Sequence, residues 1–487
     1  MSNLTGLQTP AEVFATRRVR DTSPLVAIAL LAVVVLSPLP FGSVMTWAWA
    51  PLAVVTAVVL TAWTVLALSG RVAFTKPAGW VQAAALMFGV VLLWILIQAA
   101  PFTPRSWHHP IWLEASRALE GAYSGRITLD PSETMTVFVR LLWYASIFWL
   151  ALQMGRDSSY VRTSLRLVVW TGLAYAAYGL LVKFTDWEMV LWVKKFVYQT
   201  DVTGTFINKN SFAAHAGICL VCVTALLIDG MVSISSEEAN KAGKLAAVVN
   251  ELIGRNWYLI LAWVVILSAI IMSNSRAGLV CSVIGVLALI VALSFSKSVS
   301  PRVGRWFGGL VIVAIAGIFV FSGGTIQQSF KYVGEQTHSR AAIYKTTLEM
   351  IRDAPVLGMG LGTYPQVFQI YRKSGEQHSV PARKAHNTYL ENAAELGVPA
   401  AFILVVALGI VFLMCIKGVA NRRRNVVLPA IGIGATVLLG LHSVVDFSLQ
   451  IPGIAASYAF LLGLACAQSE STGRQRRRRR TAASRSS

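Results

Sequence analysis

Long uncharged runs decide most of what this chain can fold into. "PLVAIALLAVVVLSPLPFG" (residues 24–42) and "GWVQAAALMFGVVLLWILIQAA" (79–100) each approach the roughly 20 apolar residues that carry a helix across about 30 Å of hydrocarbon. Runs of this kind recur near residues 45–68, 136–154, 164–184, 211–229, 256–273, 277–296, 305–322, 397–417, 426–444 and 453–469. A transmembrane β-barrel would instead alternate polar and apolar residues over strands of about ten, and no such alternation is present. With 55% apolar and 13% charged residues in 487, the chain is expected to be an all-α, polytopic integral membrane protein of about 12 transmembrane helices. The first run follows "RRVRDTSP" with no A-x-A-like cleavage site behind it, so it is expected to remain as a helix.

The positions of the charges set an orientation. If the N-terminus is cytoplasmic, every inside connection is basic: "RRVR", Arg71/Lys76, Arg156/Arg162, Lys241/Lys244/Arg255, Lys297/Arg302/Arg305, Lys417 with "RRR", and the "RQRRRRR" tail. That is the positive-inside pattern, and it puts both termini in the cytoplasm. The outside loops carry fewer basic residues, balanced by Glu114, Glu120, Asp130, Asp186 and Asp201. A net charge of +20 would suggest nucleic acid in a soluble protein. Here no aromatics are interleaved with the arginines, and the tail suits the anionic inner leaflet, so membrane lipids rather than nucleic acid are the expected partners. The five cysteines all lie inside apolar runs and read as small core residues.

Three substantial loops then face outward, at 101–135, 185–210 and about 323–396. The last is expected to hold two helices. One, "SRAAIYKTTLEMIRD", stops at Pro355; the other, "HNTYLENAAEL", ends at Gly397 and Pro399. Between them "PVLGMGLGTY" places glycines at alternate positions, as a tight turn or, less in keeping with its pattern, a phosphate cradle.

Several polar residues sit where they are costly. Arg276, in "MSNSRAG", lies at the junction of two apolar runs; it either faces a cavity or substrate or snorkels to headgroups. Arg340 opens the first loop helix, and His386 with Asn387 opens the second. His386 reads either as chemistry or as a solvated surface residue, in competition with His338 and His378 of the same loop. Asn208, Lys209 and Asn210 stand where an outside loop enters a span, and Asp446 lies in a short outside turn; capping and interfacial hydration are their plain alternatives. For a metal the outside face offers only the D-x-E pair of "DWE" (186–188), and no metal or other cofactor is expected. No G-x-S-x-G elbow is present to suggest a hydrolase.

Taken together, "GTFINKNSFAA", "SNSRAGLV", "HSRAAIYKTTLEMIRDAPVLGMGLGTY", "AHNTYLENAAELGVPA" and "HSVVDFSLQIP" resemble the O-antigen ligase and O-antigen polymerase family of bacterial envelope enzymes. The resemblance covers roughly residues 200–460. It divides the chain into a basic tail (1–23), N-terminal transmembrane helices (24–200), a ligase-like domain (201–469) containing the loop 323–396, and a second basic tail (470–487). It implies a GT-C-like inner-membrane glycosyltransferase working at the periplasmic face. Such an enzyme moves a glycan from undecaprenyl diphosphate to an acceptor sugar, either lipid A–core or a growing polysaccharide. By the same resemblance Arg276 and Arg340 bind the diphosphate and His386 is the catalytic base. Lys209, Asn210, Asn387 and Asp446 are candidates for support. Ligase and polymerase share these motifs. A lipid-linked sugar transporter or flippase is the reading from another class, but the spans are nearly charge-free at their centres and no internal repeat is evident.

Overall fold

The computed structural model describes residues 22–121, 123–232, 250–296, 340–372, 383–422 and 425–470, with Gly243 and Gly309. The expected span near 305–322, His338, His378, and the basic segments 1–21 and 471–487 lie outside the described residues.

The apolar runs within the described residues form helices. They are α1 (Pro24–Leu36), α2 (Thr46–Leu68), α3 (Gly79–Ala99), α5 (Pro131–Met154), α6 (Ser158–Phe184), α7 (Lys209–Val232), α8 (Trp257–Met272), α9 (Arg276–Ser294), α13 (Val398–Asn421), α14 (Val427–His442) and α15 (Pro452–Ser469). Seven of these are long and apolar enough to cross a membrane, and α1, α8 and α14 are shorter apolar helices. The protein is an all-α polytopic membrane protein whose β structure, among the described residues, is one small hairpin (Met189–Val190 with Val193–Lys194). Helix α1 is shorter than its apolar run, because Pro38 and Pro40 turn the chain after Leu36.

Burial sorts the helices. In α7, 94% of the apolar stretch is buried, against 17% in α2 and 22% in α3, so α7 is the centre of the bundle and α2 and α3 its rim. Helices α6, α8, α9 and α14 surround α7, and α15 packs on α5. Close approach depends on small residues, as between helices in membranes generally. A Cβ on Gly434 of α14 would stand 2.7 Å from the carbonyl of Gly285 in α9, so the two backbones touch. The five cysteines are free and buried, in keeping with a core role.

One end of the bundle carries the polar connections, and hydrogen bonds tie them together. Here lie α4 (Ile111–Ala118), α10 (340–353), α11 (Tyr364–Tyr371) and α12 (Thr388–Leu396). The sequence foresaw α10 and α12 but not α11, whose eight residues are too few to display a period. The Gln98 amide of α3 donates to the carbonyls of Leu357 and Glu395. The amides of Met359 and Gly360 donate to Ala394 and Glu395. The alternate glycines are therefore a packed turn, with these N–H groups engaged by the protein's own carbonyls rather than free to cradle phosphate. Gly360 has φ +101°, and a Cβ on it would lie 2.1 Å from the Thr128 hydroxyl, so only glycine fits there.

Candidate active site

The site is built where the start of α12 meets the turn between α14 and α15. Asn387 caps α12, its side-chain oxygen accepting from the amides of Tyr389 and Leu390, both at 3.1 Å. The cap fixes the residue before it: His386 takes a left-handed conformation, φ +52°. Across from it, the Thr388 amide donates to Ser443 O at 2.8 Å and the Thr388 hydroxyl to Asp446 O at 3.1 Å. The Tyr344 hydroxyl of α10 donates to the His386 carbonyl at 3.1 Å. Three segments far apart in sequence thus converge on one imidazole.

That imidazole faces a carboxylate. His386 Nδ1 stands 3.5 Å from Asp446 Oδ1, with the Asp446 side chain 1% exposed and the His386 side chain 33%. The distance is longer than that of a tight hydrogen bond, and Nδ1 has no hydrogen-bond partner among the described residues. Oδ1 also accepts from the Phe447 amide at 2.8 Å, while Oδ2 is buried without a hydrogen bond among the described residues. Burial raises the Asp446 pKa, but the opposing effects of the His386 and His442 side chains and the Phe447 amide outweigh it, and the pKa ends below the usual carboxylate value. The edge of Phe447 closes one side of the His386 ring, centroids 5.1 Å apart.

A buried acidic pair holds this corner from below. Glu391 and Glu395 share a face of α12 and are 0% and 3% exposed. Glu391 accepts from Lys384 Nζ at 3.0 Å and from the Ala385 amide at 2.8 Å, locking the approach to His386. Glu395 accepts from the Tyr364 amide at 2.8 Å. Burial first, and then the charge of Glu391, push the Glu395 pKa well above the carboxylate range, against Lys384 and the amides of Gly362 and Tyr364.

A second polar group forms where α7 and α9 begin. Asp201 pairs with Lys209 at 2.8 Å and accepts from the Asn274 amide. The Ser275 hydroxyl donates to Asn210 at 2.8 Å, joining the two helix N-termini, and it also caps α9 through Gly278 N. Arg276 follows, exposed in the first turn of α9, with no ion pair or hydrogen bond among the described residues. Helix N-termini and a cation together favour an anion. The charge of Lys209, by contrast, is already answered by Asp201.

Tyr198 lies between the two groups. Its phenol is within electrostatic reach of Asp446, Asp201 and Arg340, and burial together with the two carboxylates raises its pKa despite the arginine. Lys209 Nζ sits 5.2 Å from the ring centroid. The structure thus brings His386 and Asp446 together, with Arg340 within electrostatic reach of the neighbouring Tyr344 and His442, and separately groups Lys209, Asn210 and the start of α9. No hydrogen bond or ion pair joins Arg276 to the first group among the described residues. The D-x-E residues stand apart in the 185–194 segment, with Glu188 paired to Lys194 at 3.0 Å on the surface.

Residues 261–405 match the family model described as O-antigen ligase. The chain carries an O-antigen ligase domain. Arg276, Arg340, His386 and Asn387 fall within the matched residues, and Lys209, Asn210 and Asp446 fall outside them. With an O-antigen ligase domain goes membrane glycosyltransferase-type activity in polysaccharide biosynthesis, acting on a lipid-linked glycan and an acceptor saccharide. No curated protein matches the chain. Four residues in or beside the site escaped sequence reasoning: Tyr198, Tyr344, Glu391 and Glu395. Tyr344 and Glu391 had a usable signal. Tyr344 lies one helical turn beyond Arg340, and Glu391 is an acid in the first turn of a predicted helix. Tyr198 had none, because it stands in irregular backbone at φ +54°.

Proposed function

We propose that the protein is an inverting, metal-independent transferase that moves a glycan from undecaprenyl diphosphate to an acceptor sugar at the periplasmic face, both termini being cytoplasmic. The observation that carries this reading is the His386–Asp446 couple, a part-exposed imidazole 3.5 Å from a buried carboxylate, with the Arg340 guanidinium within electrostatic reach of the neighbouring Tyr344 and His442. Asp446 keeps a proton on Nδ1 and leaves Nε2 to act as base. Histidine is suited to that exchange near neutral pH.

In the reaction the acceptor hydroxyl attacks the anomeric carbon of the glycan, on the face opposite the diphosphate. A C–O bond forms to the acceptor, the C–O bond to the diphosphate breaks, and the acceptor's proton passes to His386 Nε2. The departing polyprenyl diphosphate takes the electron pair. Its growing charge is met by Arg276 and Arg340, whose planar forks suit phosphate oxygens. The imidazolium is stabilised by Asp446 until it is deprotonated.

The acceptor of the ligase type is lipid A–core; the alternative within the family is a polymerase extending a carrier-linked chain. His386→Ala in membranes should lower glycan transfer by at least about 100-fold, the usual order for a general base, with protein level and carrier binding retained. Near-normal transfer by that variant would sink the assignment. Envelope glycans of a deletion strain separate the two acceptors: polymer accumulating on the carrier indicates a ligase, single repeats a polymerase.

A further inference from the structure

Away from His386, at the opposite end of α12, lies a cavity of about 530 Å³ between the 106–114 segment and the 353–371 segment. Leu357, Gly358 and Met359 line it, and the Met359 amide donates to the carbonyl of Ala394 near the C-terminus of α12. Since α12 has nine residues, cavity and imidazole stand roughly 13 Å apart along the helix at 1.5 Å per residue. The proposed reaction employs none of the residues that line it.

The lining has a definite chemistry. Trp107 and Tyr371 present aromatic rings, and Val356 an apolar side chain, beside the carboxylates of Asp353 and Glu114. The Tyr371 hydroxyl donates to Asp353 Oδ2 at 2.6 Å, and Oδ1 has no partner among the described residues. The Glu114 carboxylate makes no hydrogen bond or ion pair among the described residues. His108 and His109 also line the space, and burial lowers the pKa of His109 against the effect of Glu114. Among the described residues, no lysine or arginine is present in the lining.

Two carboxylates, with no lysine or arginine among the described lining residues, disfavour a diphosphate or a phospholipid headgroup. Aromatic faces next to oriented, unoccupied hydroxyl acceptors suit the alternating apolar and hydroxylated surfaces of a pyranose. We infer that this cavity is a saccharide-binding subsite that holds sugar units of the acceptor glycan remote from the hydroxyl that reacts. The ligand class rests on the glycan-transfer reading above, whereas the site itself rests on the cavity and its lining.

The test uses the full chain in nanodiscs and, as probe, the lipid-free glycan released by mild acid from the producing strain's own surface polysaccharide. Binding is followed by saturation-transfer NMR and titration calorimetry. Wild type and His386→Ala should bind alike, and Asp353→Asn and Trp107→Ala should each lose about tenfold or more in affinity. In transfer assays the same two variants should raise KM for the acceptor and leave KM for the carrier-linked donor unchanged. Both positions are exposed, so the folded protein should survive, as its thermal midpoint will show. Wild-type-like binding by both variants, or no binding of the probe by wild type, overturns the subsite. If wild type transfers glycan while the cavity variants bind normally, the subsite falls and the catalytic reading stands. If the cavity variants lose binding but wild type catalyses no transfer, the reverse holds.

Discussion

Asp446→Asn isolates one charge with almost no change of shape. The amide oxygen can keep the Phe447 N–H bond, 2.8 Å in the native protein, so the turn is retained and only the negative charge beside His386 is removed. The native Nδ1–Oδ1 separation is 3.5 Å. Two full charges at that distance interact by about 5 kcal/mol at an effective dielectric constant near 20. Two discounts apply. The imidazole side chain is 33% exposed, which screens the pair, and its charge is incomplete in the transition state. About 2–3 kcal/mol remains, or a fall in kcat of roughly 30- to 160-fold. The assay is glycan transfer in proteoliposomes at saturating donor and acceptor, with kcat and both KM values measured. The KM for the carrier-linked donor should not move, because in the proposed reaction Asp446 acts on the base and not on the diphosphate. A kcat within threefold of wild type, in a variant with an unaltered thermal midpoint, would refute the claim that Asp446 stabilises the imidazolium.

Two further outcomes follow from the same geometry. Tyr198→Phe keeps the ring beside Lys209 and removes the hydroxyl between the two polar groups; kcat/KM should fall about three- to tenfold, the worth of one hydrogen bond, and an unchanged value would remove Tyr198 from the site. Glu395 has a raised folded pKa, so the folded protein holds a proton that the unfolded chain releases more readily. Its stabilising contribution is present below the ordinary value of 4.5 and is lost as pH rises toward the raised one. Thermal midpoints in detergent should therefore decline over that window in wild type and decline less in Glu395→Gln; parallel curves would count against a protonated Glu395.

The spans were legible because membrane insertion is decided locally. About 20 apolar residues in a row satisfy the condition for crossing hydrocarbon with no information from elsewhere in the chain. Loop helices α10 and α12 were legible for a related reason, since Pro355, Gly397 and Pro399 mark their ends in the sequence itself. The arrangement of the site is not local. His386 acquires its partner because the Thr388 backbone and hydroxyl dock on the turn after α14, 55 and more residues away in sequence. Nothing in "HSVVDFSLQIP" read alone says that Asp446 is buried and aimed at an imidazole rather than capping or hydrated. The family pattern singled out His386 and offered Asp446 as a supporting residue, but their pairing emerged only from the fold, and Asp446 lies outside the matched residues 261–405.

The two polar groups also explain why the site needs so much of the chain. In the proposed reaction the enzyme would hold the diphosphate of a lipid-anchored donor at the level where helices begin and a sugar hydroxyl slightly above it. Helix N-termini supply the first position cheaply, since α7 and α9 start side by side and are joined through Asn210 and Ser275. They cannot supply the second, because a base must stand beyond the helix ends and still be rigid. The loop helix α12 solves this by being fixed at three levels: its cap at Asn387, its docking to the α14–α15 turn, and its buried face, where Glu391 and Glu395 bind the chain on either side. On this argument, loosening the buried acidic face should weaken catalysis through His386 before it weakens carrier binding at α9, although neither glutamate touches a reacting atom.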